Sequence, residues 1–219
     1  MRSWFLTLSW IRSTHLEVEK RMLPNFLCRT IVALVLIFGL ATPGLAGEPT
    51  DHIKKTTDKM ITILNDPVLK NNVAERRKML RITLNERFDW TEMARRSMAN
   101  HWEGLTLEEK KEFVPLFTDL LERTYMSRIE NYSGDKVDYI GERVKGNFSL
   151  VKVTIFTDKQ TEIPVIYKMK KEGPEWTIYD VSIEGVSLVK NYQQQFDSII
   201  LSSSYQGLVE KLKEKVAKN

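Results

Sequence analysis

Residues 176–196 read WTIYDVSIEGVSLVKNYQQQF, and the hydrophobic period changes inside this stretch. Up to Ile183 the side chains alternate, with Thr177, Tyr179, Val181 and Ile183 on one face. Trp176, Ile178 and Asp180 take the other face, as a β-strand requires. From Leu188 the apolar residues fall at Leu188, Val189, Tyr192 and Phe196, the spacing of a helix stripe. Glu184-Gly185 stands between the two periods, where the Glu184 carboxylate is expected to cap the following helix. A strand that runs into a long helix is the end of one pattern and the start of another.

Upstream, the two-residue period persists. Ile163, Val165, Tyr167 and Met169 mark one strand face, Val151, Val153 and Ile155 a second, and Val137 and Tyr139 a third. Lys145-Gly146-Asn147, Asp158-Lys159-Gln160 and Glu172-Gly173-Pro174 are the breaks. Links this short join antiparallel neighbours. Pro164 is expected at an edge or beside a bulge, because it cannot donate to a ladder. Downstream, Ile199 and Ile200 extend the helix stripe, and Leu208, Leu212 and Val216 make another.

The segment before the strands is helical. Ile53, Thr57, Met60, Ile61 and Leu64 lead to a stop at Asn65-Asp66-Pro67. A second helix covers about 72–84, and a third about 89–101 is opened by Asp89. Thr106 and Glu109 form a capping box before the longest helix, whose stripe runs Phe113, Leu116, Phe117, Leu120, Leu121, Tyr125 and Ile129. Pro115 inside that stripe predicts a kink. The fold class is therefore α+β: helices flanking a four-stranded antiparallel sheet, with an apolar cavity between them.

The chain has 219 residues, 33 Lys+Arg against 29 Asp+Glu, and 42% hydrophobic residues, an ordinary globular composition. Its one cysteine, Cys28, rules out an internal disulfide scaffold. The apolar run Ile31–Ala41 is too short to span a bilayer, which takes about 20 residues. Basic residues precede it and Gly44-Leu45-Ala46 follows, the layout of a cleaved signal peptide. Residues 1–46 are accordingly expected to be an N-terminal extension and signal peptide, cut after Ala46, with Met22 an alternative start. Cys28 lies before the apolar run, which argues against a lipoprotein. Removing this segment's five basic and two acidic residues leaves 28 basic and 27 acidic side chains on the 47–219 domain. So balanced a domain offers no support for nucleic-acid binding, which wants a clustered basic face.

Much chemistry is missing from the sequence. It has no Gly-rich phosphate loop, no His-Glu-x-x-His and no paired cysteines. The mature segment holds two histidines, His52 and His101. Ser-x-x-Lys recurs at Ser133, Ser149 and Ser187 without the companion triplets of serine acylating enzymes. Asp180 and Glu184 are the carboxylates best placed for acid–base work. Their alternative is structural, pairing with lysine or capping a helix.

Tyr179-Asp180-Val181, Glu184-Gly185-Val186-Ser187-Leu188-Val189, Asn191-Tyr192 and Gln195-Phe196 together resemble the central signature of the MlaC family. These are periplasmic phospholipid-binding proteins, also called toluene-tolerance auxiliary proteins, of the maintenance-of-lipid-asymmetry system. Phe88-Asp89-Trp90, Met93-Ala94-Arg95, Trp102, Leu105-Thr106 and Thr124-Tyr125 resemble the family in the same order. The chain departs from its pattern at Gln193, at Met98-Ala99-Asn100 and at Pro115. The resemblance implies no enzyme and no cofactor. It implies a monomeric periplasmic shuttle that takes phospholipid as its ligand and keeps outer-membrane lipids asymmetric. Its implied partners are an inner-membrane ABC transporter with an MCE-domain subunit and an outer-membrane lipoprotein–porin complex. A carrier of another lipid, such as a hopanoid, is the nearest alternative, and a dehydratase or isomerase using Asp180 or Glu184 a more distant one.

A lipid carrier has to hide acyl chains. Each methylene removed from water is worth about 0.8 kcal/mol, so two chains of about sixteen carbons cost roughly 25 kcal/mol to expose. The expected wall is apolar, with the headgroup left wet. From the strands the candidates are Val153, Ile155, Val165, Tyr167, Tyr179 and Val181. From the helical segments they are Met93, Leu116, Leu120, Tyr125, Val186, Leu188 and Tyr192.

Overall fold

The computed structural model describes residues 48–130, 132, 136–157 and 161–218. The expected signal segment 1–46, Ser133 and the turn at Asp158-Lys159-Gln160 lie outside the described residues. Helix α1, Glu48–Asn65, stops where Asp66 accepts the N–H groups of Val68 and Leu69 and opens the short α2, Pro67–Lys70. Asn72 caps α3, Val73–Asn85, and Asp89 caps α4, Trp90–Met98, by accepting the Glu92 N–H at 2.9 Å. A 3-10 turn, Ala99–Gly104, leads to α5, Leu107–Glu130. The capping box is present: Thr106 N–H donates to Glu109 Oε2 at 2.8 Å, and Glu109 N–H donates to Thr106 Oγ1 at 3.2 Å. Helix α5 continues across Pro115 as one element.

The strands are β1, Val137–Lys145; β2, Phe148–Phe156; β3, Glu162–Glu172; β4, Glu175–Ile183; and β5, Val186–Ser187. They form one antiparallel sheet in sequence order. Among the described residues it has five strands rather than four, because Glu184-Gly185 is a hairpin turn and not a helix cap. Both turn residues have positive φ, 50° and 83°, the two-residue type I′ geometry whose twist suits a hairpin. The cap of α6, Leu188–Ser202, is instead Ser187, whose Oγ accepts the Lys190 N–H. Helix α7, Tyr205–Lys218, ends the described chain.

The faces of β4 also differ from simple alternation. Lys168 pairs with Asp180 and Met169 with Ile178, so Tyr179 is an extra residue. This bulge brings Trp176, Ile178 and Val181 onto one buried face, and turns Tyr179 away from it. Pro164 is at neither an edge nor a bulge. It lies near the start of the central strand β3, where its carbonyl accepts the Glu184 N–H at 2.9 Å just past the end of β4.

The edge of β4 is covered by the α3–α4 junction. Ile178 N–H donates to the Arg87 carbonyl at 2.8 Å, and Asp89 N–H donates to the Ile178 carbonyl at 2.9 Å. Arg87 is buried and ties this junction to α1 and β4: it donates to the Trp176 carbonyl at 2.6 Å and to Thr56 Oγ1 at 3.1 Å. His52 Nδ1 lies 2.8 Å from the same guanidinium, and His101 lies 2.7 Å from Asp197, so both histidines sit in polar contacts within the fold.

Three apolar clusters form around these elements. Met93, Phe113, Phe117, Leu120, Tyr192, Phe196 and Leu208 build a helical core. Ile53, Val151, Val153, Val165, Met169, Trp176, Ile178 and Val181 line the inner sheet face. Ile63, Leu69, Leu80, Leu84 and Met126 join α1 and α3 to the end of α5. Phe88 packs against all three.

Two substitutions probe this framework. Asp180 is buried and receives Lys168 Nζ and Ser187 Oγ, both at 2.7 Å, and the Val189 N–H at 3.1 Å. Asp180→Ala leaves those donors unpaired and is expected to cost about 3 kcal/mol in denaturant unfolding. Ala99 has φ 46° and ψ −120°, a region that a side chain disfavours. Ala99→Gly is expected to stabilise the protein by about 1 kcal/mol in the same assay, relief of strain outweighing the added chain freedom.

Candidate functional site

The sheet's inner face is concave, and α1, α4 and α5 close over it without filling it. An apolar cavity of about 650 Å³ remains. The sheet contributes Val137, Ile155, Ile163, Val165, Tyr167, Ile178, Val181 and Ile183 to its wall. Helix α1 contributes Ile53, Thr57, Met60, Ile61 and Leu64, and α5 contributes Leu121, Tyr125, Met126 and Ile129. Phe88, Trp90 and Met93 close the side toward α4, and Leu188 stands at the start of α6.

The wall has a polar end. Ser127 and Arg128 at the C-terminal end of α5, and Glu184 in the β4–β5 turn, are its exposed polar groups. Half-buried Tyr132 and Thr157 join them, so this end is the mouth. The Arg128 guanidinium lies 5.7 Å from the centre of the Tyr125 ring. Among the described residues no carboxylate is within ion-pair distance of it. Burial pushes the Tyr167 phenol up to about 12, which keeps that side chain neutral inside the cavity.

The deep end contains one carboxylate. Glu122, 3% exposed at its side chain, lies one to two turns of α5 inward from Ser127 and Arg128. Arg81 Nε approaches its Oε2 to 2.7 Å, without a hydrogen-bonding angle. Among the described residues neither Glu122 oxygen finds a hydrogen-bond donor. Phe88 and Trp90, stacked at 4.9 Å between ring centres, lie at the same end.

Of the residues expected on the wall, Met93, Tyr125, Ile155, Val165, Tyr167, Val181 and Leu188 are there. The others stand elsewhere. Val153 is close-packed within the sheet core. Leu116 and Leu120 pack in the helical core, because the α5 stripe is wide enough to serve two sides, and Tyr192 of α6 packs there against Phe117 and Phe196. The bulge turns Tyr179 outward, with the Arg96 guanidinium 4.2 Å from its ring centre and Phe148 edge-on at 6.0 Å. Val186 is 57% exposed in the short β5. Sequence reasoning missed the α1 residues, Phe88, Trp90 and Ile178, the sheet residues Val137, Ile163 and Ile183, and Leu121, Met126 and Ile129 of α5. The α1 stripe was visible, but nothing in it distinguished a cavity lining from a packed core.

Residues 54–214 match the family described as MlaC protein. The chain belongs to the MlaC family. A curated relative, the intermembrane phospholipid transport system binding protein MlaC of Haemophilus influenzae, is 22% identical over 194 residues. That alignment covers 84% of this chain and 91% of the relative. A solved structure, the phospholipid-binding protein of Ralstonia solanacearum in complex with a phospholipid, superposes with a TM-score of 0.72 at 24% identity. It covers 78% of this chain and 98% of its own, and carries the same fold.

MlaC proteins are phospholipid-binding transport proteins and not enzymes. The carboxylates considered for acid–base chemistry have other roles in this chain. Asp180 points away from the cavity into the α6 cap, and Glu184 occupies a hairpin turn. Among the described residues no cluster of three His, Cys, Asp or Glu could hold a metal ion, and no helix is long and apolar enough to cross a membrane.

Glu122 supplies a pH test of this site. Burial raises its carboxyl above the ordinary range, against the opposing pull of Arg81. A carboxyl raised in the folded state binds its proton more readily there than in the unfolded chain. Its stabilising contribution is therefore present below the unfolded pKa and is lost as pH rises through the folded pKa. Glu122→Gln is expected to be more stable than the parent at neutral pH, with the gain shrinking towards acid, in denaturant unfolding followed across pH. A pH-independent difference would show that the carboxyl does not titrate with folding.

Proposed function

We propose that this MlaC protein is a periplasmic phospholipid shuttle, released by cleavage near Ala46, that carries lipid between the two membranes. The observation that carries the reading is the cavity of about 650 Å³, lined mostly by apolar side chains, with its exposed polar groups at one end, in a chain of this family. Acyl chains would lie between α1, α5 and the sheet, where each buried methylene contributes about 0.8 kcal/mol. The headgroup would stay at the mouth, with Ser127 and Arg128 nearest its phosphate and Glu184 and Thr157 opposite. An arginine with no carboxylate partner among the described residues is suited to that anion. Lipid-binding roles are proposed for Met93, Tyr125, Ile155, Val165, Tyr167, Val181 and Leu188. The partners are an inner-membrane ABC transporter with an MCE-domain subunit and an outer-membrane lipoprotein–porin complex. Transport between them would maintain outer-membrane lipid asymmetry. Direction would come from those partners.

The test is mass spectrometry of protein purified from a periplasm without detergent, first native, then denatured and extracted. Near-stoichiometric phospholipid is the expected result. Protein that arrives empty, and stays empty when offered vesicles, would overturn the reading. A bound hopanoid would keep the cavity and change the cargo. Ile155→Trp fills the wall near the mouth. It is expected to lower phospholipid occupancy about tenfold, the effect of roughly 1.4 kcal/mol, with the far-UV circular dichroism unchanged.

A further inference from the structure

The deep end of the cavity is a thin wall. Beyond it lies a second, open void of about 480 Å³ between the α3–α4 junction and α5. The two voids share Phe88, Trp90 and Glu122 as lining, so these side chains are the partition between them. On the far side the void is bounded by Arg81, Pro115 and Asp119, among others. The partition is unusual in its chemistry. The rest of the deep wall is hydrocarbon or aromatic, whereas Glu122 is a buried carboxylate with no hydrogen-bond donor. Its contact with Arg81 is ionic, and the Arg81 side chain is 54% exposed. Such a pair contributes little to folding, since burial of the carboxylate offsets most of the attraction. The opposite face of the partition, the stack of Phe88 on Trp90, is fastened by one bond from Trp90 Nε1 to Asn85 Oδ1 at 2.7 Å.

We infer that Glu122, Phe88 and Trp90 form the floor of the lipid cavity and set the length of acyl chain that the protein accepts. The inference rests on the phospholipid-carrier reading. Chains that end above the floor bury all their methylenes. A longer chain must press its terminal methyl against a carboxylate, or fold back within the cavity, or displace the partition into the second void. The occupant of that void, once the floor is removed, is the distal end of the same acyl chain. Size, not charge, is the property at work, because a side chain of Glu122's volume blocks the passage in either protonation state.

The experiment uses delipidated protein offered vesicles that contain equal amounts of dilauroyl and distearoyl phosphatidylglycerol. Bound lipid is extracted and its chain lengths are counted by mass spectrometry. Wild-type protein is expected to be enriched in the shorter lipid relative to the vesicles. Glu122→Ala is expected to raise the bound distearoyl-to-dilauroyl ratio roughly tenfold over wild type, the effect of about two further buried methylenes. Trp90→Ala opens the same partition from the other side and is expected to move the ratio in the same direction, which guards against one variant failing to fold. Glu122→Gln keeps the volume and is expected to hold the wild-type ratio. If both alanine variants keep the wild-type ratio while wild type loads well, the floor is wrong and the carrier reading stands. A shift with Glu122→Gln equal to that with Glu122→Ala would also overturn the steric floor. If wild type takes up neither lipid, the carrier reading fails and the inference with it.

Discussion

In a regular β4, Trp176 and Ile178 would share a face with Asp180, while Val181 and Ile183 would face the opposite way. The extra residue at Tyr179 removes that conflict, and much of the structure depends on it. With the bulge, Trp176, Ile178, Val181 and Ile183 all reach the inner face. Asp180 is turned toward the start of α6, where it gathers Lys168, Ser187 and the Val189 N–H. One backbone irregularity thus completes the apolar wall and anchors the helix that follows. The same region of β4 receives the α3–α4 junction through the Ile178 bridge, which sets Phe88 where all three clusters meet.

The cavity follows from how the helices are held. Arg87, bonded to Trp176, Thr56 and Glu175, fixes the α3–α4 junction against α1 and the edge of the sheet. Helix α5 spends part of its stripe on α6 and α7, through Phe113 and Phe117 against Phe196. Its last turns, from Leu121 to Ile129, face the sheet. Helix α1 crosses the sheet's other end, where Thr50 is tied to Glu142 by two bonds of 2.9 and 2.6 Å. The space left is lined mostly by hydrocarbon and aromatic groups, which suits an apolar ligand.

Family membership and geometry support each other here in different ways. The family match covers 54–214 and brings phospholipid binding as a class. The geometry adds which side chains line the cavity, and these include residues at positions that the family signature at 179–196 does not touch. The signature itself is largely structural in this chain. Asp180, Glu184, Gly185 and Ser187 build a bulge, a hairpin turn and a helix cap, while Val181, Ile183, Glu184 and Leu188 border the cavity.

The sequence by itself determined the order of elements, the antiparallel strands with their short turns, and the capping box at Thr106 and Glu109. It did so because these features depend on residues adjacent or a few positions apart. It also determined the family, since the motif at 179–196 is contiguous. Only the tertiary structure decided which apolar side chains border empty space. Leu120 and Tyr125 occupy the same stripe of the same helix, yet one is close-packed and the other lines the cavity. Hydrophobicity and spacing report that a residue leaves water, and say nothing about whether its neighbours fill the volume beside it. The bulge at Tyr179 was hidden for a related reason. Its stability comes from partners on β3, α3–α4 and α6, and no local propensity distinguishes it from one more step of a regular strand.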